Sequence, residues 1–202
     1  WFKLISAQSP TAFTKALGLS SGQFSLDTPV GTARTYLKVG ATAPSQGDLS
    51  AVLTALQSGA AVASTGPFLD VTATGTAGAA GPGQLLAGPN GSVSLAIALV
   101  APEWVPVEKV RIYVNGTLVQ TLDPATFTVD TTDARKRSTT LTLPLAQDGW
   151  IVVEAGVPDA GPTLADTRYP AWFKVQHNAY PLAVTNPIFV DQNGGGYTPP
   201  GN

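Results

Sequence analysis

With 202 residues, 44% of them hydrophobic and only 12% charged, the chain is long enough to bury a sizeable core in one large or two small domains. A formal net charge of -2 offers no electrostatic footprint for nucleic acid, and no apolar run reaches the length of a membrane span, so neither partner is expected. Without cysteine there is no disulfide and no thiolate metal site, which leaves the redox compartment open; the charge-poor, Ala-, Thr-, Gly- and Pro-rich composition suits a secreted, periplasmic or cell-surface bacterial protein.

The chain begins at Trp1, contains no Met and shows no basic-then-apolar targeting pattern, so it reads as a fragment with its natural start upstream. Residues 1–5 read as the last turn of a helix that Ser9-Pro10 ends. The apolar cluster Trp1, Phe2, Leu4 and Ile5 is then expected to pack against a missing amino-terminal part of the same protein or against another subunit. Residues 13–19 and 34–39 read as short strands. Residues 44–48 open a helix whose apolar positions Leu49, Val52, Leu53 and Leu56 recur at three and four residues, and Gly59 stands where such a helix stops.

From Phe68 onward the period becomes two. Val93, Leu95, Ile97 and Leu99 alternate with small residues, and Val110, Ile112 and Val114 alternate with Lys109, Arg111 and Tyr113, as strands with one buried face do. Asn115-Gly116 is the preferred two-residue hairpin turn, because both positions need positive φ. Segments 139–145, 150–157 and 171–175 complete a set of short strands separated by Gly, Pro and Asp, and strands at this spacing predict an antiparallel Ig-like β-sandwich. Its expected core is Val93, Leu95, Ile97, Val110, Ile112, Val114, Leu141, Leu143, Ile151 and Val153. The Gly-rich stretches 75–83 and 194–202 read as mobile loops or tails.

Chemistry-bearing residues are few. His177, the single histidine, follows the expected strand containing Trp172 and Phe173, and there is no nucleophile elbow, phosphate loop or dinucleotide fingerprint. Asp191 and Asn193, in Asp191-Gln192-Asn193-Gly194-Gly195-Gly196, are a weak calcium candidate, since loops that wrap Ca²⁺ carry more carboxylates than this one. Arg135-Lys136-Arg137 reads as the solvated tip of a hairpin, and the sequons at Asn90 and Asn115 read as tight turns.

Three blocks, residues 30–37 (Val-Gly-Thr-Ala-Arg-Thr-Tyr-Leu), 64–69 (Ser-Thr-Gly-Pro-Phe-Leu) and 185–197 (beginning Thr-Asn-Pro-Ile-Phe-Val-Asp), resemble in order and spacing the carboxy-terminal half of carbaryl-hydrolase-like metallohydrolases of the PHP (polymerase and histidinol phosphatase) superfamily. The resemblance implies a mainly β (α+β) chain in which 1–66 is the end of a PHP-type barrel-like domain, 67–180 an antiparallel sandwich, and 181–202 a returning strand and tail. It also implies that Arg34, Tyr36 and Asn186 border a substrate cleft, the alternative being that Tyr36 packs, Arg34 pairs with a carboxylate and Asn186 orients the last strand; His177, as the lone imidazole, is a further cleft candidate against the reading of a polar histidine at a strand end. Where that family has a Gly-Asn-Ser-Asp-Ser-His pattern, this chain has Ser21 and Gln23 in place of the Asp and His, and neither replaces an anionic oxygen or an imidazole at a hydrolytic metal. No cofactor is expected in this chain, and a divalent metal only if upstream sequence supplies ligands. Two functions remain open: part of a metal-dependent hydrolase without a complete metal site, or a non-catalytic extracellular structural or binding sandwich module.

Overall fold

The structure, a computed structural model, describes residues 1–7, 31–40, 49–158, 168–176 and 180–201. The expected strand at 13–19, Ser21, Gln23 and His177 lie outside the described residues. In chain order the elements are α1 (Phe2–Ser6), β1 (Arg34–Leu37), α2 (Leu49–Ser58), β2 (Ala61–Ser64), β3 (Phe68–Gly75), β4 (Gly78–Ala80), β5 (Leu85–Ala87), β6 (Ser92–Val100), β7 (Lys109–Val114), β8 (Thr117–Leu122), β9 (Thr128–Val129), β10 (Lys136–Pro144), β11 (Gly149–Gly156), α3 (Pro170–Phe173), β12 (Leu182–Thr185) and β13 (Ile188–Asp191).

These strands form two sheets. One runs β4-β3-β6-β10-β9 and is antiparallel throughout. The other is centred on β11, which pairs with β7 on one side and with β12 and β13 on the other; β8 extends it beyond β7, β2 and β1 beyond β12, and β5 beyond β13. All of its pairings are antiparallel except β13 with β5. The architecture is therefore a mainly β, two-sheet sandwich, with no closed barrel among the described residues. The divisions drawn at 66/67 and 180/181 cross this hydrogen-bonded sheet, since Ser64 of β2 lies opposite both Arg34 of β1 and Ala183 of β12.

Alternation builds the core between the sheets. On β6 the burial pattern is strictly every second residue, so Val93, Leu95, Ile97 and Leu99 face inward, opposite Val110, Ile112, Ile151 and Val153 of the other sheet. Each such side chain stabilises the fold by about 1.5–3 kcal/mol through burial. Val114 and Leu141 pack at the margin of this core rather than inside it. Asn115 and Gly116 adopt φ values of 50° and 84°, and Asn90 and Gly91 values of 54° and 106°, so both Asn-Gly pairs are the turns their chemistry requires.

A second cluster covers the outer face of β11. Trp150, Val152 and Phe189 are fully buried there with Ile5, and Trp1, Phe2, Tyr113, Val184 and Tyr197 pack around them. The Phe2 ring lies 5.1 Å from Trp150 and 5.2 Å from Tyr113, and Trp150 Nε1 donates to Ser6 Oγ at 3.2 Å. Trp1, Phe2 and Ile5 of the apolar start thus pack on the chain's own sheet, while Leu4 stays exposed. The tail is also fastened: Thr198 N–H donates to Asp148 Oδ2 at 2.7 Å and Gly201 N–H to the Ser6 carbonyl at 3.0 Å. Within the stretch 75–83, expected to be a loop, Gly78–Ala80 is a strand paired with β3.

One further expectation is corrected. Residues 171–175, read as a strand, begin with the helical turn α3, because Pro170 at its first turn presets φ and has no N–H to waste. Helix α2 forms where the period placed it and stops at Gly59 (φ 71°), with Ala60 N–H donating to Ala55 O and Gly59 N–H to Leu56 O. Its buried residue is Ala55, however, while Leu49, Leu53 and Leu56 are exposed.

Candidate functional site

The residues singled out from the sequence do not converge. Arg34 and Tyr36 share one face of β1, and Arg34 donates to the carbonyls of Gly31 (3.3 Å) and Gly66 (3.1 Å) with its guanidinium 5.5 Å from the Tyr36 ring centre. Tyr36 meets Phe68 edge to face at 4.9 Å and lines a cleft of about 220 Å³ over Val62 and Leu69. The Lys38–Asp70 ion pair at its rim, 3.2 Å long and half-exposed on both sides, contributes little by itself.

Asn186 is fully buried at the bend between β12 and β13. Its Nδ2 donates to the Gly59 carbonyl at 3.0 Å and its N–H to Ala61 O at 3.0 Å, while neighbouring Thr185 Oγ1 accepts from Val153 N–H at 3.0 Å. The bonds to Ala61 O and from Val153 N–H satisfy backbone groups at the break in the ladder, and Asn186 Nδ2 adds a second donor to the Gly59 carbonyl, which also accepts from the Ala61 N–H at 2.8 Å. Asp191 and Asn193 hold the exit turn: the Asp191 carboxylate accepts the N–H of Gly194 (2.9 Å) and of Gly196 (2.9 Å), and Asn193 Oδ1 accepts that of Gly195 (2.8 Å). Among the described residues no group of three or more His, Cys, Asp or Glu is placed to hold a metal ion. Arg135 of the basic run grips Asp133 through Nε (2.8 Å) and Nη2 (2.9 Å), and this fork holds the Asp133 carboxyl down at about 2.

The loop end of the sandwich carries a different constellation. Between β6 and β7, Val105 N–H bonds to Pro102 O at 2.9 Å, and this turn holds out the Trp104 side chain, which remains 45% exposed. Its indole stacks on Trp172 of α3 at 6.1 Å between ring centres and 23° between planes, and Trp172 is buried. Gly66 is required beneath it, since a Cβ there would sit 2.6 Å from Pro181 Cβ and 3.2 Å from Trp172 Cη2. Beside the stack, Glu108 Oε1 accepts from Arg168 Nη1 at 3.0 Å and from the Tyr169 hydroxyl in a short bond, and Arg168 lies over the Tyr169 ring at 5.2 Å. These groups, with Glu103 and four apolar neighbours of the loop and α3, line a cleft of about 340 Å³. Sequence reasoning passed over Trp104, although a Trp set between Pro102 and Pro106 in an interstrand loop is a signal of an aromatic held outward.

No protein-family profile matches the chain, and none of the curated proteins matches it. Among solved structures it is similar to the CARDB domain of a Pyrococcus furiosus protein, determined in solution by NMR, with 18% identity over 62% of this chain and 95% of that one and a TM-score of 0.32. So low a TM-score carries no argument about this chain, and the fold stands on its own strand pairing. The resemblance to PHP metallohydrolases is overturned: neither a family profile nor a curated protein of that superfamily matches the chain. Strands β1 and β2, which that resemblance placed at the end of a barrel, belong to the sandwich sheet. No helix among the described residues is long and apolar enough to cross a membrane.

Proposed function

We propose that this chain is a non-catalytic, extracytoplasmic binding module whose binding surface is the aromatic cleft at the loop end of the sandwich. The observation that carries this reading is Trp104. A half-exposed indole, braced from behind by a buried Trp172 and flanked by a fixed carboxylate–guanidinium pair, is a pre-formed contact surface with few orientation-setting polar groups. Loops on a rigid sandwich are where such surfaces are displayed. By contrast, the polar groups of Arg34, Asn186, Asp191 and Asn193 are engaged with the protein's own backbone. The charge-poor, Ala-, Thr-, Gly- and Pro-rich composition supports display outside the cytoplasm.

The test is a hydrolysis assay of the whole chain with Zn²⁺ or Mn²⁺ supplied, on aryl phosphate, aryl ester and aryl carbamate substrates. No turnover above the metal-only rate is expected. Turnover that saturates in both metal and substrate would overturn the binding-module reading.

A further inference from the structure

We infer that the Trp104 cleft binds a saccharide chain, stacking one pyranose ring on the open indole face and hydrogen-bonding that ring's hydroxyls to the Glu108–Arg168 pair; this rests on the binding-module reading above. A pyranose has an apolar face of C–H groups and an edge of hydroxyls, each of which both donates and accepts. It therefore needs a flat aromatic platform with a donor and an acceptor fixed beside it. Trp104 supplies the platform, and its stacking on buried Trp172 fixes the plane before any ligand arrives. Glu108 and Arg168 supply the acceptor and the donor, 3.0 Å apart at the pair itself. Among the described residues, both side-chain partners of Glu108 bind Oε1, so Oε2 is the acceptor for a ligand in the cleft, and the side chain is 31% exposed. A cleft of about 340 Å³ lies within the ordinary range for small-ligand sites and suits one or two sugar rings.

The competing ligand chemistries fit less well. A proline-rich peptide also favours aromatic grooves, but it needs several donors spaced along its backbone, and the cleft lining offers Arg168 beside the indoles, the Tyr169 hydroxyl being committed to Glu108. A quaternary ammonium would seek a cage of several aromatic faces, but here Trp104 presents one open face, Trp172 is buried and Arg168 covers the face of Tyr169. Nucleic acid would meet Glu103 and Glu108 at the cleft on a chain of net charge -2.

Affinity electrophoresis of the whole chain in native gels containing a β-1,4-glucan, a xylan, a galactomannan or an α-glucan tests the inference. At least one polysaccharide is expected to retard the wild-type protein, and Trp104→Ala to weaken that retardation ~10-fold, with Trp104→Phe keeping part of it. The melting temperature of Trp104→Ala should stay within about 2 °C of wild type, which separates lost stacking from lost folding. Glu108→Gln should weaken binding as well, since a neutral amide grips neither Arg168 nor a hydroxyl as the carboxylate does. Retardation by no polysaccharide would overturn the saccharide assignment, as would retardation that Trp104→Ala leaves intact. Saturable quenching of tryptophan fluorescence by a proline-rich peptide, with no polysaccharide bound, would put a peptide in its place. Either outcome leaves the absence of catalysis to be judged by the hydrolysis assay alone.

Discussion

The two faces of β11 are buried by different means. Its inner face, Ile151, Val153 and Ala155, meets the opposite sheet across an interface built from alternating strands. Its outer face, Trp150 and Val152, is roofed by α1 and by the tail that carries Tyr197, two segments from opposite ends of the chain. Alternation is visible on β6, where one face meets solvent, and disappears on β11, where neither does. A continuous apolar run in a strand therefore signals a third layer, and the material of that layer is found elsewhere in the chain.

Breaking the inner interface should have the largest effect. Leu95 is fully buried on β6, so Leu95→Asp places an unpaired carboxylate in the core and should cost more than about 4 kcal/mol, leaving no folded baseline in thermal circular dichroism. Wild-type thermal stability in that variant would show the inward assignment of β6 to be wrong. Attacking the outer layer comes next. Trp150→Ala should lose about 3–5 kcal/mol in denaturant unfolding, as full burial of a large aromatic implies, and a loss below about 1 kcal/mol would mean that the roof adds no real core.

The bend that joins the two regions is sharpened by Asn186→Ala, which removes one of the two hydrogen bonds that the Gly59 carbonyl accepts, the Ala61 N–H at 2.8 Å keeping the other, and should cost about 0.5–1.5 kcal/mol. Faster amide hydrogen exchange is expected around the end of α2 and the start of β2 in this variant, and unchanged exchange would remove the structural role assigned to Asn186.

The smallest effect is a pH dependence on the outer face. Glu154 lies 3.6 Å from Arg111 with only 18% of its side chain exposed, and burial pushes its carboxyl above the usual range, partly offset by Arg111 and a hydrogen bond from Tyr113. Between its ordinary value near 4.5 and the higher folded value the native state binds more protons than the unfolded chain, so this residue's contribution to stability falls as pH rises through that window. Glu154→Gln should remove that falling segment from a plot of melting temperature against pH. Parallel curves for variant and wild type would show that the carboxyl is not desolvated.

The candidate sites were legible to unequal degrees. Thr185-Asn186-Pro187 stood out because a polar residue between two conformationally restricted neighbours signals an irregular strand, and it does sit at the bend, although its amide serves Gly59. Arg34 and Tyr36 were found on one strand face, yet the carbonyl that Arg34 holds belongs to Gly66, beyond the reach of local pattern. The aromatic cleft was missed because Trp172 was read within a strand, and its partner Trp104 comes from the other side of the sandwich sequence.

What the sequence determined by itself is whatever depends on neighbours a few residues apart. The alternation of β6 and β7, the Asn115-Gly116 turn with its positive φ values, and the Gly59 stop of α2 are local matters of side-chain spacing and backbone sterics. Tertiary structure alone decided that β1 and β2 join the sandwich, that the two ends of the chain roof β11, and which face of α2 is covered. It also brought Trp104 onto Trp172 and Arg168 onto Glu108. Each of these follows from burial between segments distant along the chain, where the free energy of covering an apolar face outweighs local preference and no short-range pattern records which face will be covered.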